Sequence, residues 1–182
     1  ARNGLSQALH QLRQALGAEA IESIGSGLAV NPGHLACDAL AFLDAVERGD
    51  PAAALARYAG EFCPGLFANS PEVERWLDAE RQRLRTLALE AGHRHLRAAR
   101  QAGDPAALAE AARRTLALQP DDEADLRDCL TALDAAGDPA AALLAYDDFA
   151  RRLAATLELE PAPETRELAE SIRRRRLARG PV

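Results

Sequence analysis

The chain has 182 residues, of which 48% are hydrophobic and 27% charged, so it can bury a core and does not have the composition of a disordered chain. Alanine (42 residues) and leucine (28 residues) dominate and aromatic residues make up only 4%, which excludes a large β-protein and predicts a mainly α fold. The net charge of −6, with 22 arginines and no lysine, excludes a general attraction to nucleic acid or anionic lipid.

The first residue, the apolar runs and the cysteines predict the cellular compartment of the protein. It does not begin with methionine, which suggests a processed chain or a piece of a longer one. No apolar run approaches the roughly 18 residues of a transmembrane helix and no signal peptide is visible, so we expect a cytoplasmic protein without membrane contact. Cys37, Cys63 and Cys129 lack a C-x-x-C spacing, and we expect reduced, buried thiols rather than a disulfide or a zinc site.

Residues 1–35 are predicted to form one helix and one β-hairpin. The helix carries a stripe of leucines at helical spacing, namely Leu5, Leu9, Leu12 and Leu16. Gly17 is expected to end this helix. Two short apolar segments on either side of Gly25-Ser26-Gly27 are typical of a hairpin with a glycine turn. A helix and a hairpin do not form a stable domain alone.

The tripeptide Gly-Asp-Pro occurs three times, at 49–51, 103–105 and 137–139. Glycine suits the left-handed residue that ends a helix, aspartate caps the next helix, and proline fits its first turn. Each tripeptide therefore predicts a tight turn between two helices. The last two lie 34 residues apart, the period of a tetratricopeptide-type helical pair, whereas the first interval of 54 residues predicts an interruption or a longer helix.

Apolar periodicity predicts further helices after Ser70. The helix that begins there is apolar on two faces and should lie between neighbours, as in a solenoid. Its main stripe is Val73, Trp76, Leu77, Leu84, Leu87, Ala88 and Ala91. Later helices are expected from near Asp121, after Gly137, and from about Glu164 to Leu177. The predicted fold is mainly α, a tetratricopeptide-like array of antiparallel helical pairs preceded by a helix and a short hairpin.

Short motifs follow one another along the chain in a specific order. They are residues 38–42 (similar to D-x-x-x-F), 58–65 (Y-x-G-x-F-x-P-G), 76–84 (W-x-x-x-E-R-x-R-L), 119–123 (D-P-x-x-E) and 159–165. Through these motifs nearly the whole chain resembles the bacterial transcriptional activator domain of the SARP-type antibiotic regulatory proteins. One position departs from that family, which usually has glycine where Glu158 stands. We therefore expect the preceding helix to run on or to end without a left-handed cap.

The resemblance implies two domains. In that family a winged-helix DNA-binding domain precedes the helical array. Residues 1–35 are then the end of its recognition helix and its wing, and residues 36–182 are the tetratricopeptide-like activator domain. The earlier strands and the first two helices of a winged helix are missing, so the chain resembles a regulator cut within its DNA-binding domain.

The first helix supplies the candidate DNA-binding residues. Opposite or beside the leucine stripe lie Asn3, Gln7, His10, Gln11, Arg13 and Gln14. Asparagine and glutamine can read adenine edges, and arginine can pair with phosphate or guanine, which favours a helix for the major groove. The alternative is an ordinary solvated face, and the formal charge of residues 1–35, with two arginines and two glutamates, is zero.

No catalytic motif is visible, so we expect a protein that is not an enzyme and has no cofactor. His93 and His95 are two residues apart and point to different faces of a helix, whereas a zinc pair needs a spacing of four. The arginine cluster 173–176, with Arg179, could touch DNA phosphate or an acidic partner. Four consecutive residues cover all sides of a helix, however, which favours a frayed terminal helix.

Two functions remain open. The first is a fragment of a DNA-binding transcriptional activator whose array contacts protein, such as a second copy or RNA polymerase, rather than a small-molecule substrate. Its groove is expected to be lined by the first helix of each pair, including positions between Arg81 and Arg100. The alternative is a tetratricopeptide-like interaction module of a larger signalling protein, without DNA binding.

Overall fold

A computed structural model describes residues 2–119 and 121–179, with side chains at 4–119 and 121–178. These ranges hold eight helices and one hairpin: α1 (Arg2–Leu16), β1 (Ile21–Ile24), β2 (Gly27–Val30), α2 (Asp38–Glu47), α3 (Pro51–Arg57), α4 (Pro71–Ala102), α5 (Pro105–Ala117), α6 (Glu123–Ala135), α7 (Pro139–Leu157) and α8 (Pro163–Arg179). The predicted mainly α fold, with a hairpin before the array, is confirmed. No helix in these ranges is long and apolar enough to cross a bilayer.

The Gly-Asp-Pro turns form as predicted. Gly103 and Gly137 adopt left-handed φ angles of 70° and 87°. The Asp104 carboxylate then accepts a hydrogen bond of 2.9 Å from the backbone N–H of Ala106, and Asp138 accepts one of 3.0 Å from Ala141. Each proline is the first residue of its helix, and the linkers between the helices are short, namely residues 103–104 and 136–138. The long first interval contains the 32-residue helix α4.

The array places α4 between its neighbours. Each helix from α2 to α8 packs on the next, and α4 also contacts α6. Leu84 and Ala88 of α4 join an apolar cluster with α2 and α3, whereas Leu96 and Ala99 join a second cluster built from α5 to α8. The predicted helix with two apolar faces is confirmed, and the long α4 connects the two cores.

The helices α4 and α5 approach closely at Gly92. A Cβ atom on Gly92 would lie 2.9 Å from the Thr115 Oγ1 atom. Thr115 is fully buried, and its hydroxyl donates a 2.9 Å hydrogen bond to the Ala111 carbonyl, so it has little freedom to move away. Glycine is therefore the residue that permits this contact.

A polar joint ties α6 to α8. Both carboxylate oxygens of Glu123, the first residue of α6, accept from the backbone N–H of Ala162, at 3.0 and 2.9 Å. Glu123 also accepts from the hydroxyl of Thr165, which is fully buried, and Arg127 donates to that hydroxyl at 2.8 Å. The joint sets where α8 starts, because it holds the segment just before the first turn of that helix.

The prediction for Glu158 is wrong. The helix α7 ends at Leu157, and Glu158 takes a left-handed cap with φ of 56°. This conformation costs about 1–2 kcal/mol for a residue with a Cβ atom. The chain adopts it because Pro161 is buried and Pro163 begins α8, so the path must leave the direction of α7 within a few residues.

The predicted core stripe of α4 is partly wrong. Leu77, Leu84 and Ala88 are buried, but Val73 and Trp76 are exposed. They lie in the first two turns of α4, where the neighbouring element is the irregular segment 58–70 rather than a second helix. Periodicity identifies an apolar residue but not whether a neighbour covers it.

Candidate functional site

The N-terminal unit joins a helix to a hairpin through one arginine. Strands β1 and β2 are antiparallel, with Ile21 opposite Val30. From the last turn of α1, Arg13 donates to the Ile21 carbonyl through Nε at 3.0 Å and Nη2 at 2.7 Å, and Nη2 also reaches Ser23 Oγ at 3.4 Å. The hairpin is thus held at the carboxyl end of α1.

The base of the hairpin is closed by Asn31. Its N–H donates to the Ala20 carbonyl at 3.0 Å, and its side-chain amide donates to Glu22 Oε1 at 2.6 Å. Ala20 is fully buried. Nearby, His34 Nε2 lies 3.0 Å from a Glu19 carboxylate oxygen. These contacts fix the exit of the hairpin towards α2.

Four of the predicted DNA-binding residues share one face of α1. Gln7, His10, Gln11 and Gln14 are exposed, and no hydrogen bond or ion pair engages their side chains within the described ranges. Their spacing of three and four residues places them side by side. The side chain of Asn3 lies outside the described residues.

Arg13 stands apart from that set. It is half-buried, and its hydrogen bonds to the hairpin give it a structural role that spacing within α1 did not indicate. The signal that could have found it lies outside the helix, since its partners are eight and ten residues further along the chain. Its expected DNA contact stays a prediction.

The opposite face of α1 is apolar and uncovered. Leu5, Leu12 and Leu16 are exposed although their spacing is that of a packed stripe. Helix α1 therefore presents a polar face and an apolar face on opposite sides, an arrangement that suits a helix held against a protein core while its polar side faces a groove.

The array carries an open groove of about 850 Å³. It lies between the end of α3, the segment 58–61, residues 78–85 of α4 and the end of α5. From the predicted lining range of residues 81–100 only Arg81, Gln82 and Arg85 take part. The rest of that range is used for packing instead, with Ala88 and Ala91 against α2 and α3 and with Leu96 and Ala99 against α5 to α8.

The arginines of the groove are paired. Arg85 donates to the Gln119 carbonyl at 2.8 Å and to Asp121 at 2.9 Å, and Arg114 donates to Glu110 at 2.8 Å. Burial raises the pKa of Tyr58, which keeps its hydroxyl protonated and able to donate. A groove with balanced charges and an available donor suits a polar protein segment better than a polyanion.

The terminal arginine cluster is not frayed. Arg173 pairs with Asp147 at 3.2 Å and lies 5.6 Å from the centre of the Tyr146 ring, and Arg175 pairs with Asp134 at 2.8 Å. These contacts hold α8 against α6 and α7. The interpretation as a frayed helix is wrong for Arg173 and Arg175, because aspartates on the neighbouring helices are within their reach.

The cysteines divide between core and surface. All three thiols are free, but Cys37 is exposed and Cys63 half-buried, so the expectation of burial holds for Cys129 alone. Burial raises the pKa of Cys129 to about 12, so this thiol stays protonated. In the part of the chain that the structure describes, no three histidine, cysteine or acidic side chains are grouped to hold a metal ion.

One protein-family model matches most of the array. The family model described as "Bacterial transcriptional activator domain" matches residues 37–173. The match begins one residue before α2 and ends within α8, so it leaves α1 and the hairpin outside. No curated protein matches the chain.

Proposed function

The chain belongs to the bacterial transcriptional activator domain family, and from this premise we propose that it is part of a SARP-type regulator that binds DNA and activates transcription. Residues 1–35 supply the recognition helix and the wing of a winged helix. Residues 36–182 form the activator domain and contact other proteins. The protein works in the cytoplasm by binding, without catalysis or a cofactor.

The observation that best supports the proposal is the polar face of α1, which lies beside the hairpin that Arg13 holds in place. Gln7, His10, Gln11 and Gln14 are exposed together, and glutamine can make paired hydrogen bonds to an adenine edge in the major groove. A helix in the major groove with a hairpin next to its end is the arrangement of a recognition helix and a wing. Arg13 supports it by fixing the distance between the two.

Charge supports a division of work between the two parts. The chain has a net charge of −6, and the arginines of the groove and two of the terminal cluster are bound to acidic partners. The array therefore offers DNA little attraction. Its groove, with paired charges and the Tyr58 hydroxyl, fits a role in protein contacts.

A second function has one observation in its favour. Residues 1–35 carry no net charge, which suits a protein-interaction module without DNA binding as well as a reader that depends on base contacts. The two functions differ in whether the protein prefers one DNA sequence over others. An interaction module has no such preference, whereas a protein that contacts bases loses its preference when the exposed face of α1 is altered.

We expect the full-length regulator to select a duplex sequence from a random pool and to lose affinity for it when Gln7 or His10 is replaced by alanine. Each substitution should weaken binding about tenfold at roughly 0.15 M salt, because a good base contact contributes about 1–3 kcal/mol. Gel-shift titration measures the loss.

Gln101→Ala serves as the matched control, because Gln101 is exposed near the end of α4, far along the chain from α1. It should leave the affinity unchanged. Selection of no sequence by the wild-type protein, with all four proteins binding equally weakly, would favour the interaction module.

A further inference from the structure

Two arginines of α4 hold the irregular segments that border the groove. Arg81 donates to the Cys63 carbonyl at 3.1 Å, and Arg85, four residues further along α4, donates to the Gln119 carbonyl at 2.8 Å. Cys63 and Gln119 have left-handed φ angles of 48° and 51°, although neither is glycine. Such a conformation persists only where its surroundings hold it, and it is concentrated at functional sites. Both segments are therefore fixed, and a ligand meets a preformed surface.

Three polar side chains of the groove are open to a ligand. The Tyr58 hydroxyl is half-buried and makes no hydrogen bond with the residues that the structure describes. The side-chain amides of Gln82 and Gln119 are exposed and make none with those residues either. A hydroxyl and an amide can each donate and accept a hydrogen bond. Together these side chains offer a ligand both donors and acceptors.

Backbone acceptors lie at the same groove because two helices end there. Helix α3 ends at Arg57 and α5 at Ala117, and the last carbonyls of a helix have no partner within it. In the part of the chain that the structure describes, no group donates to the carbonyls of Leu55, Ala56 or Ala117, which all belong to lining residues. The groove therefore presents donors and acceptors together, whereas a site for an anion presents donors.

The arginine charges at the groove are already paired, which favours an uncharged ligand. Each arginine that lines the groove lies 2.8 to 3.0 Å from a carboxylate, namely Arg81 from Glu61, Arg85 from Asp121 and Arg114 from Glu110. A charged ligand would have to compete with these pairs, whereas a neutral ligand leaves them intact. Ala117 and Leu118 add apolar surface beside the polar groups.

We propose that the groove binds an extended, uncharged segment of another protein, and that it does so through the main chain of that segment. A peptide main chain carries one donor and one acceptor at each residue, so it uses both kinds of group that the groove presents. The Gln82 amide can accept from an N–H and donate to a C=O of the same segment. Small apolar side chains of the segment then contact Ala117 and Leu118.

Selection from a phage-displayed library of random seven-residue peptides on the immobilised full chain tests the proposal. We expect enriched peptides without net charge. Isothermal titration calorimetry with the synthetic peptides should show at least about a tenfold loss of affinity in Gln82→Ala, which removes two hydrogen bonds. Tyr58→Phe removes only the hydroxyl and should weaken binding about threefold. Circular dichroism should show native helix content in both variants.

Gln101→Ala is the matched control, because Gln101 is an exposed glutamine on the same helix, about five turns beyond Gln82. It should leave the affinity unchanged. Replacing single amide bonds of the peptide by esters tests main-chain binding, because an ester lacks the N–H donor. We expect affinity to fall at every second residue, since successive residues of an extended chain face opposite sides.

Enrichment of no peptide would overturn the proposal, as would affinity that no ester changes or equal effects of Gln82→Ala and Gln101→Ala. Acidic peptides whose affinity falls at least about tenfold between about 0.05 and 0.5 M salt would also overturn it, since they would bind the arginines. So would binding that Phe67→Ser abolishes and Gln82→Ala does not, because Phe67 is exposed outside the groove. The inference rests on the proposed protein-contact role of the array. The last two outcomes would leave that role standing and refute the main-chain site, so the two failures are distinguishable.

Discussion

Replacing Glu123 by alanine is expected to lower the free energy of unfolding by about 3 kcal/mol, because it removes hydrogen bonds to a charged group at a partly buried joint. The substitution leaves the Ala162 N–H without its acceptor and deprives the buried Thr165 hydroxyl of the carboxylate to which it donates. Of the joint between the start of α8 and α6, the hydrogen bond from Arg127 to Thr165 would remain. Urea unfolding followed by circular dichroism measures the loss.

Two further variants separate the joint from general effects of charge. Glu123→Gln keeps one acceptor oxygen and should cost less than Glu123→Ala. Glu167→Ala removes an exposed carboxylate from α8 that makes no hydrogen bond within residues 4–119 and 121–178, and it should change the free energy of unfolding by less than about 0.5 kcal/mol. Equal values for Glu123→Ala and Glu167→Ala would show that the joint does not stabilise the array.

Replacing Arg81 by lysine is expected to cost about 2–3 kcal/mol, nearly as much as replacing it by alanine. The planar guanidinium donates to three carbonyls of the preceding segment, those of Phe62 and Cys63 at 3.1 Å and of Leu66 at 3.0 Å. It also pairs with Glu61 and Asp78. A single ammonium group cannot reproduce this fork of donors.

We expect Arg81→Lys to loosen residues 61–70 as well as to lower the free energy of unfolding of the whole protein. We expect limited proteolysis to cut within residues 61–70 faster than in the wild-type protein, because the hydrogen bonds that hold this segment are lost. Arg83→Lys is the control, since Arg83 is exposed and, among the residues that the structure describes, pairs with Glu80 alone. Cleavage at the same rate in both variants would contradict the anchoring role of Arg81.

Turn chemistry made most of the array predictable. Glycine, aspartate and proline act on their immediate neighbours, so residues 103–105 and 137–139 were enough to place the first residues of α5 and α7. The hairpin was predictable for the same reason. Glu158 was not, because its left-handed conformation is imposed by the path to Pro161 and Pro163 rather than by its own preference.

Long-range contacts were beyond the reach of local patterns. Arg85 meets Asp121 across 36 residues and Arg175 meets Asp134 across 41, and no spacing rule connects such positions. The motif residues Arg81 and Glu123 proved to hold segments of the array together. The motifs that carry the family resemblance therefore report how the array is built.

The candidate DNA-binding face was predictable to the level of a helix side. A helical wheel placed Gln7, His10, Gln11 and Gln14 together, and the structure leaves all four exposed. Arg13 was predicted as a DNA contact because its guanidinium can pair with phosphate or guanine, and its partners on the hairpin could not be known before the hairpin was placed. Exposure shows that these side chains are available for contact, but their contact with DNA has to be measured separately.

Photo-crosslinking tests the division of work between α1 and the array most directly. A photoreactive side chain replaces His10 in one variant of the full-length regulator and Arg174 in another, each bound to the duplex that the wild-type protein selects. We expect a covalent adduct with DNA from position 10 and none from position 174, where the array carries an exposed arginine of the terminal cluster. An adduct from position 174 with none from position 10 would contradict the assignment of DNA contact to residues 1–35.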